Sequence, residues 1–174
     1  MSFVYFIKRT LAYFLDCFIA FTGVMLIFQW AILSNLRSIF GITENWFQIS
    51  LHMHLYVFVS ISIPVWLYFS YFDSIYSKGT FGKRILKLKL VDTNQQKISF
   101  SKSIKRTILK LLPWEIIHLG IIYPRPIYFE NEPEIRLFVF IGIALFISYI
   151  LSIWLDTKKQ SVYDKLLGTL VLQK

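Results

Sequence analysis

Leu137 to Leu155 is a run of 19 residues without a single Asp, Glu, Lys or Arg. No other feature constrains the chain more. At about 1.5 Å per residue, a helix of this length approaches the ~30 Å hydrocarbon core of a bilayer. Leu51 to Phe72 repeats the pattern over 22 residues, with Pro64 inside it, and Leu11 to Leu33 over 23 residues with one charge, Asp16. Hydrophobic residues make up 56% of the 174, and charged residues 17%, against about 25% in a soluble domain. Such a chain has too little polar surface to cover a globule. Its apolar content excludes disorder, and a single cysteine, Cys17, excludes a disulfide scaffold. The chain reads as an integral membrane protein. Lys8 and Arg9 precede the first run as they would in a signal peptide. The run is too long for one, however, contains an aspartate and is followed by no small-x-small cleavage site, so it predicts a retained helix. Trp66, Tyr68, Tyr71 and Phe72 end the second run as an interfacial aromatic belt would.

Thr107 to Tyr123 is more balanced. It holds nine Leu or Ile residues but also Lys110, Pro113, Glu115 and His118. The nine contribute about −3 to −5 kcal/mol to insertion and a central acid costs about +3 kcal/mol, so hydropathy does not decide whether it crosses. Charge distribution favours crossing. With four crossings, one side holds Lys8, Arg9, the ten Lys and Arg from Lys78 to Lys110, and Lys158, Lys159, Lys165 and Lys174, sixteen of the nineteen positive residues. The other side keeps Arg37, Arg125 and Arg136 beside Glu44, Glu130, Glu132 and Glu134. The positive-inside bias then puts both termini in the cytoplasm of a multi-pass protein of the cell membrane. Pro124, Pro126 and Pro133 also fit a re-entrant excursion.

Between the second and third clear runs, Leu86, Leu88 and Leu90 alternate with Lys87 and Lys89, the period of a half-buried strand. Asn94-Gln95-Gln96 turns the chain, and Ile98 and Phe100 resume the alternation, which predicts a β-hairpin; Gly168 to Leu172 is β-rich too and can join it. The fold class expected is an all-α integral membrane protein. It is a single domain over residues 1–174, a four-helix transmembrane bundle (about 11–33, 51–72, 107–123 and 137–155) with a small cytoplasmic β-hairpin in the loop 73–106.

Arg9 and Asp16 lie seven residues apart, hence on one helical face about 10 Å from each other. An intramembrane carboxylate marks function or an internal partner. Two readings stand: a group in an ion or substrate path, or a structural ion pair that orients the helix.

Arg9-Thr-Leu-Ala12-Tyr-Phe-Leu-Asp16 resembles the opening signature of the RDD family of small membrane proteins. Gly79-Thr80-Phe81-Gly82-Lys83-Arg84, continued by Leu86 to Asp92, resembles that family's central loop, and Ser103-Ile104-Lys105-Arg106 the segment after it. Gln160 to Thr169, with Asp164, Gly168 and Thr169, resembles its closing motif, although Leu167 stands where alanine usually precedes Gly-Thr. The four matches run in order from Arg9 to Val171. The resemblance implies that Arg9 and Asp16 are the family's arginine and first aspartate and Asp164 its second. It also implies transport of an unidentified ligand, with sodium/proton exchange proposed for some members.

Glu115 and His118 share a helical face, where they can relay protons or sit as an interfacial polar pair; a metal site would need further inward carboxylates. His52 and His54 diverge by about 200° on a helix and cannot readily share a metal. Gly79 to Lys83 lacks the first glycine of a phosphate loop, Ser77 taking its place, and no Ser or Thr follows Lys83. No nucleophile–base grouping suggests an enzyme, and no cofactor or metal is expected. The lysines are explained by topology, so anionic lipid headgroups are the expected partner and nucleic acid is not. At this size, a transport pathway requires a homo-oligomer. Two functions are therefore open. One is a transporter or transporter component for a cation, proton or small ligand that uses Asp16 with Arg9 and Glu115. The other is a non-transporting accessory protein that binds lipid or a partner through its basic loop.

Overall fold

The computed structural model describes residues 3–132 and 134–173, with nothing said of the Met25 side chain. Pro133 and Lys174, which enter the topology reading above, lie outside the described residues. The order of elements is α1 (Phe3–Ile39), a single turn at Glu44–Phe47, α2 (Ser50–Asp73), α3 (Phe81–Ile85), β1 (Leu88–Asp92), α4 (Phe100–Ile122), a 3-10 turn at Ile127–Phe129, α5 (Leu137–Leu155), α6 (Val162–Leu167) and β2 (Thr169–Gln173). Three helices, α1, α2 and α5, are long and apolar enough to cross a membrane. With the small two-stranded sheet, they make a mostly helical membrane protein.

The helix α1 explains why its apolar residues face outward. Its buried positions are Tyr5, Arg9, Ala12, Asp16 and Ala20, spaced four, three, four and four apart, a single inward stripe of small or polar residues. Phe14, Phe18 and Phe21 point away, Phe18 being 70% exposed. Apolar outside and polar inside is the reverse of a soluble helix and suits hydrocarbon solvent. The helix begins eight residues before the apolar run, because Tyr5 and Arg9 are held by the protein and not by lipid. Over Val24–Leu33 and again over Phe58–Ser62 in α2, hydrogen bonding widens to the i→i+5 pattern.

The chain divides into two compact units. One contains the chain up to Ala20, Trp66–Leu111 and the chain from Phe146 onward; the other contains Phe21–Val65 and Leu112–Leu145. All five aspartates fall in the first unit and all five glutamates in the second.

The expected hairpin is corrected. β1 pairs antiparallel with the C-terminal strand β2, Leu90 opposite Val171, and the segment around Ile98 is not a strand. The Asp92 carboxylate accepts from the Asn94 and Gln96 amides and closes the turn, as the hairpin reading required. Ser99 then accepts from the Ser103 and Lys102 amides and starts α4. The chain has no room for a returning strand, and Ile98 enters the core with Tyr5, Ala12, Leu88, Leu90 and Val171.

In the second unit, glycines bring α4 and α5 close. A Cβ on Gly142 would lie 2.5 Å from Ile117 Cγ1 and 2.7 Å from the Pro113 carbonyl, and one on Gly120 2.8 Å from Val139. Arg136 donates to the Tyr123 carbonyl at 2.6 Å beyond the end of α4 and pairs with Glu130 at 2.7 Å. Gln29 joins α1 to α2, donating to Ser60 Oγ and accepting from Tyr56 Oη.

Candidate functional site

Arg9 and Asp16 do not pair with each other. They are the two ends of a hydrogen-bonded chain that leaves α1, threads four other elements of the first unit and returns. Arg9 Nη2 donates to Asp164 Oδ2 on α6. Asp164 Oδ1 accepts from Arg106 Nε and Nη2 on α4, both at 2.8 Å. Arg106 Nη1 donates to Asp73 Oδ2 at the end of α2, at 3.1 Å. Lys83 Nζ on α3 donates to Asp73 Oδ1 at 2.5 Å and to Thr80 Oγ1 at 3.2 Å. Thr80 Oγ1 donates to Asp16 Oδ2 at 2.5 Å, which brings the chain back to α1. Charges alternate along it, and no ionised member is more than 7% exposed.

Local sequence explains each position. Ser161 and Asp164 form a capping box at the start of α6, so the Asp164 carboxylate is fixed by its own backbone before any arginine reaches it. Gly168 ends that helix at φ +57°, a left-handed conformation that glycine adopts without a Cβ clash. The turn delivers Thr169, whose hydroxyl donates to Asp164 Oδ1 at 2.8 Å. On α4, Ser103, Arg106, Thr107 and Lys110 form one buried stripe at helical spacing. Gly79, at φ +109°, turns the chain into the Thr80 corner and accepts from Arg84 Nε at 2.7 Å.

The carboxylates differ in environment. Burial alone would push the Asp164 carboxyl up, but Arg106 and Arg9, with the Ser161 and Thr169 hydroxyls, hold it well below the usual carboxylate range. Asp73 faces Lys83 and Arg106, with Lys110 Nζ 4.0 Å away. Asp16 has no cation within 4.0 Å among the described residues. Its donors are Thr80 Oγ1, the Gly82 amide at 2.6 Å and Tyr68 Oη at 3.4 Å. Four basic side chains, Arg9, Lys83, Arg106 and Lys110, thus meet three carboxylates. Arg9, Asp16, Lys83, Arg106, Lys110 and Tyr163 border a cavity of about 30 Å³, room for about two waters.

Of the residues singled out from sequence, Arg9, Asp16, Asp164, Thr80, Gly82, Lys83 and Thr169 come together here, with Gly79 and Gly168 as the bends that present them. Glu115 does not belong to this cluster. It lies in the second unit, where it accepts from Ser62 Oγ at 3.0 Å and has His118 Nδ1 at 3.5 Å. His52 and His54 have separate partners, the Trp46 carbonyl at 3.1 Å and Tyr123 Oη at 3.2 Å. Asp73, Lys110 and Tyr68 are site residues that the sequence reading leaves out, and Arg106 enters it only within the Ser103 to Arg106 match. Hydropathy reads the lysine as positive-inside charge and Tyr68 as an aromatic belt. The available signal was the Ser103, Arg106, Thr107 and Lys110 spacing. Among the described residues, no group of three or more His, Cys, Asp or Glu is placed to hold a metal.

The RDD family model matches residues 4–168, nearly the whole chain and every member of the buried charge network; Thr169, which donates to Asp164, follows it directly. No curated protein and no solved structure matches it. The chain belongs to the RDD family.

Proposed function

We propose that the protein is an ion-handling transporter or transporter component whose exchangeable group is Asp16. The observation that carries this is the contrast among the three buried aspartates. Asp73 and Asp164 are each neutralised by two cations within 3.1 Å or less, whereas Asp16 is held only by neutral donors. A buried carboxylate without a counter-charge is the one whose charge a proton or small cation can take up. Arg9 and Asp164 act as the fixed frame, and Glu115 beside Ser62 and His118 is a second acid of the same chemistry in the other unit. In this reading the chain is not an enzyme. It crosses the cell membrane four times with both termini in the cytoplasm, α4 making the third crossing. Support comes from the length of α4, 23 residues or about 34 Å, and from sixteen of nineteen positive residues falling in the unit that holds both chain ends. A homo-oligomer completes the pathway.

Asp16→Asn keeps the shape and removes the charge. Purified and reconstituted into vesicles, the variant is expected to be abundant and folded but to have lost proton- or sodium-driven flux. Flux equal to that of the parent protein would reject the role of Asp16. A reporter near Asn131 reading cytoplasmic would remove the fourth crossing.

A second reading has one observation in its favour. Lys78, Lys87, Lys97, Lys105 and Lys158 are exposed in the first unit and available to anionic headgroups at about 1 kcal/mol each. Lys83, Arg106 and Lys110 are buried and leave that count. Binding to anionic vesicles that falls with salt supports it, and equal binding to neutral vesicles opposes it.

A further inference from the structure

We infer that the protein holds a small monovalent anion, a halide such as chloride, in a second chamber of the first unit that Arg9, Thr10, Tyr13, Lys110, Tyr149 and Tyr163 line. The inference takes Asp16 in its ionised form and concerns the resting charge balance, not flux. Three observations converge on it.

The first is the balance itself. The buried cluster has four basic side chains and three carboxylates, and Lys110, when it carries its proton, is the cation left over. Its ammonium is 3.2 Å from the centre of the Phe69 ring, and its closest carboxylate oxygen among the described residues, on Asp73, is 4.0 Å away and already accepts from Arg106. A buried charge that an aromatic face only partly stabilises favours a counter-ion. The second is the wall. The chamber, about 40 Å³, is lined by both Arg9 and Lys110 and by no carboxylate, and the rest of its lining is aromatic, aliphatic and one threonine. Such a wall repels cations. Its volume takes about three waters or one dehydrated halide. The third is a donor without an acceptor. Thr10 Oγ1 is buried and has no hydrogen-bond partner in the structure. An orphaned hydroxyl is costly unless something accepts from it, and a halide between Arg9, Thr10 and Lys110 would do so. One excess charge suits a monovalent ion, and the apolar part of the wall favours chloride and bromide over the more strongly hydrated fluoride.

The test is heat unfolding of the full chain in detergent, titrated with sodium chloride, bromide or fluoride against sodium gluconate at constant ionic strength. Chloride and bromide are expected to raise Tm in a saturable way that fluoride and gluconate do not reproduce. Lys110→Met should abolish the halide dependence. Thr10→Val, a milder change, should keep the gluconate Tm and raise the half-saturating chloride about tenfold, the loss of one hydrogen bond to a charged group. Lys97→Ala, on the exposed surface, should respond as the parent does. Equal Tm in chloride and gluconate for the parent overturns the inference, as does an undiminished chloride response in Thr10→Val. Should Lys110→Met not fold, the parent titration and Thr10→Val decide between them.

Discussion

Gly82→Ala tests whether the Asp16 cage depends on a close approach of backbones. A Cβ at Gly82 would lie 2.4 Å from the Ala12 carbonyl oxygen and 3.1 Å from Ala12 C and Cα, all backbone atoms of α1 that no rotamer change can move. Ordinary contact requires α3 to retreat by about 1 Å. The Gly82 amide would then leave Asp16 Oδ1, 2.6 Å away, beyond hydrogen-bond reach, and the Thr80 hydroxyl would be drawn off with it. Overpacking costs about 1–3 kcal/mol and loss of a hydrogen bond to a charged acceptor about 1.5–3 kcal/mol, while alanine in a helix regains about 1 kcal/mol. The net loss is about 1.5–5 kcal/mol, a fall in Tm of about 3–20 °C for a chain of this size. Gly23→Ala is the control. It is helical with nothing within 4 Å of an added Cβ, and it should hold or slightly raise Tm. Heat unfolding of both variants in the same detergent decides. Equal midpoints would refute the contact argument, and a stable Gly82→Ala protein with parental Tm would refute the cage.

The native Asp164 carboxyl lies below its unfolded value, so the stabilisation it gives is present above about pH 4 and is lost as pH falls from there. Asp164→Asn should therefore cost about 3–5 kcal/mol at pH 7, with unfolding curves whose acid limb is flatter than the parent's; an unchanged acid limb would contradict the assignment. Asp73→Asn and Lys83→Met share one buried ion pair and should be less damaging together than their sum, with a coupling of about 1–3 kcal/mol in a double-mutant cycle. The same cycle between Asp73 and Lys165, whose partner is Asp156, should give none.

Much of the helical framework was legible because hydrocarbon imposes its own length. Leu137–Leu155 has the bounds its uncharged run has, and α2 differs from Leu51–Phe72 by a residue at each end. The start of α1 was not legible from hydropathy, because Tyr5 and Arg9 are solvated by the C-terminal segment through the Val171 and Lys159 carbonyls, more than 140 residues away. The hairpin failed for a related reason. The β-rich segment from Gly168 to Leu172, which the sequence offered as a joining strand, is the partner of β1, and the nearer Ile98 segment is not, because Ser99 starts a helix there. Spacing put Arg9 and Asp16 on one face correctly. Their partners come from residues 68 to 164, a distance over which periodicity carries no information. Arg106 and Lys110 were hidden by a true generalisation: positive residues collect on one side of a membrane, but the count does not say which of them turn inward.

The return of the buried chain to α1 sets an order on biosynthesis. Arg9 is made 155 residues before its carboxylate partner, Asp164. Throughout elongation the first helix leaves the ribosome with its arginine uncompensated, and Arg106 in turn waits for the same late aspartate. A nascent chain stopped at Gln160 therefore contains α1, α2, α4 and α5 but two guanidinium groups lacking their shared anion. Strand β2, made after Asp164, lays Val171 against Leu90. The charge balance of the first unit is thereby completed only once residue 164 has been made.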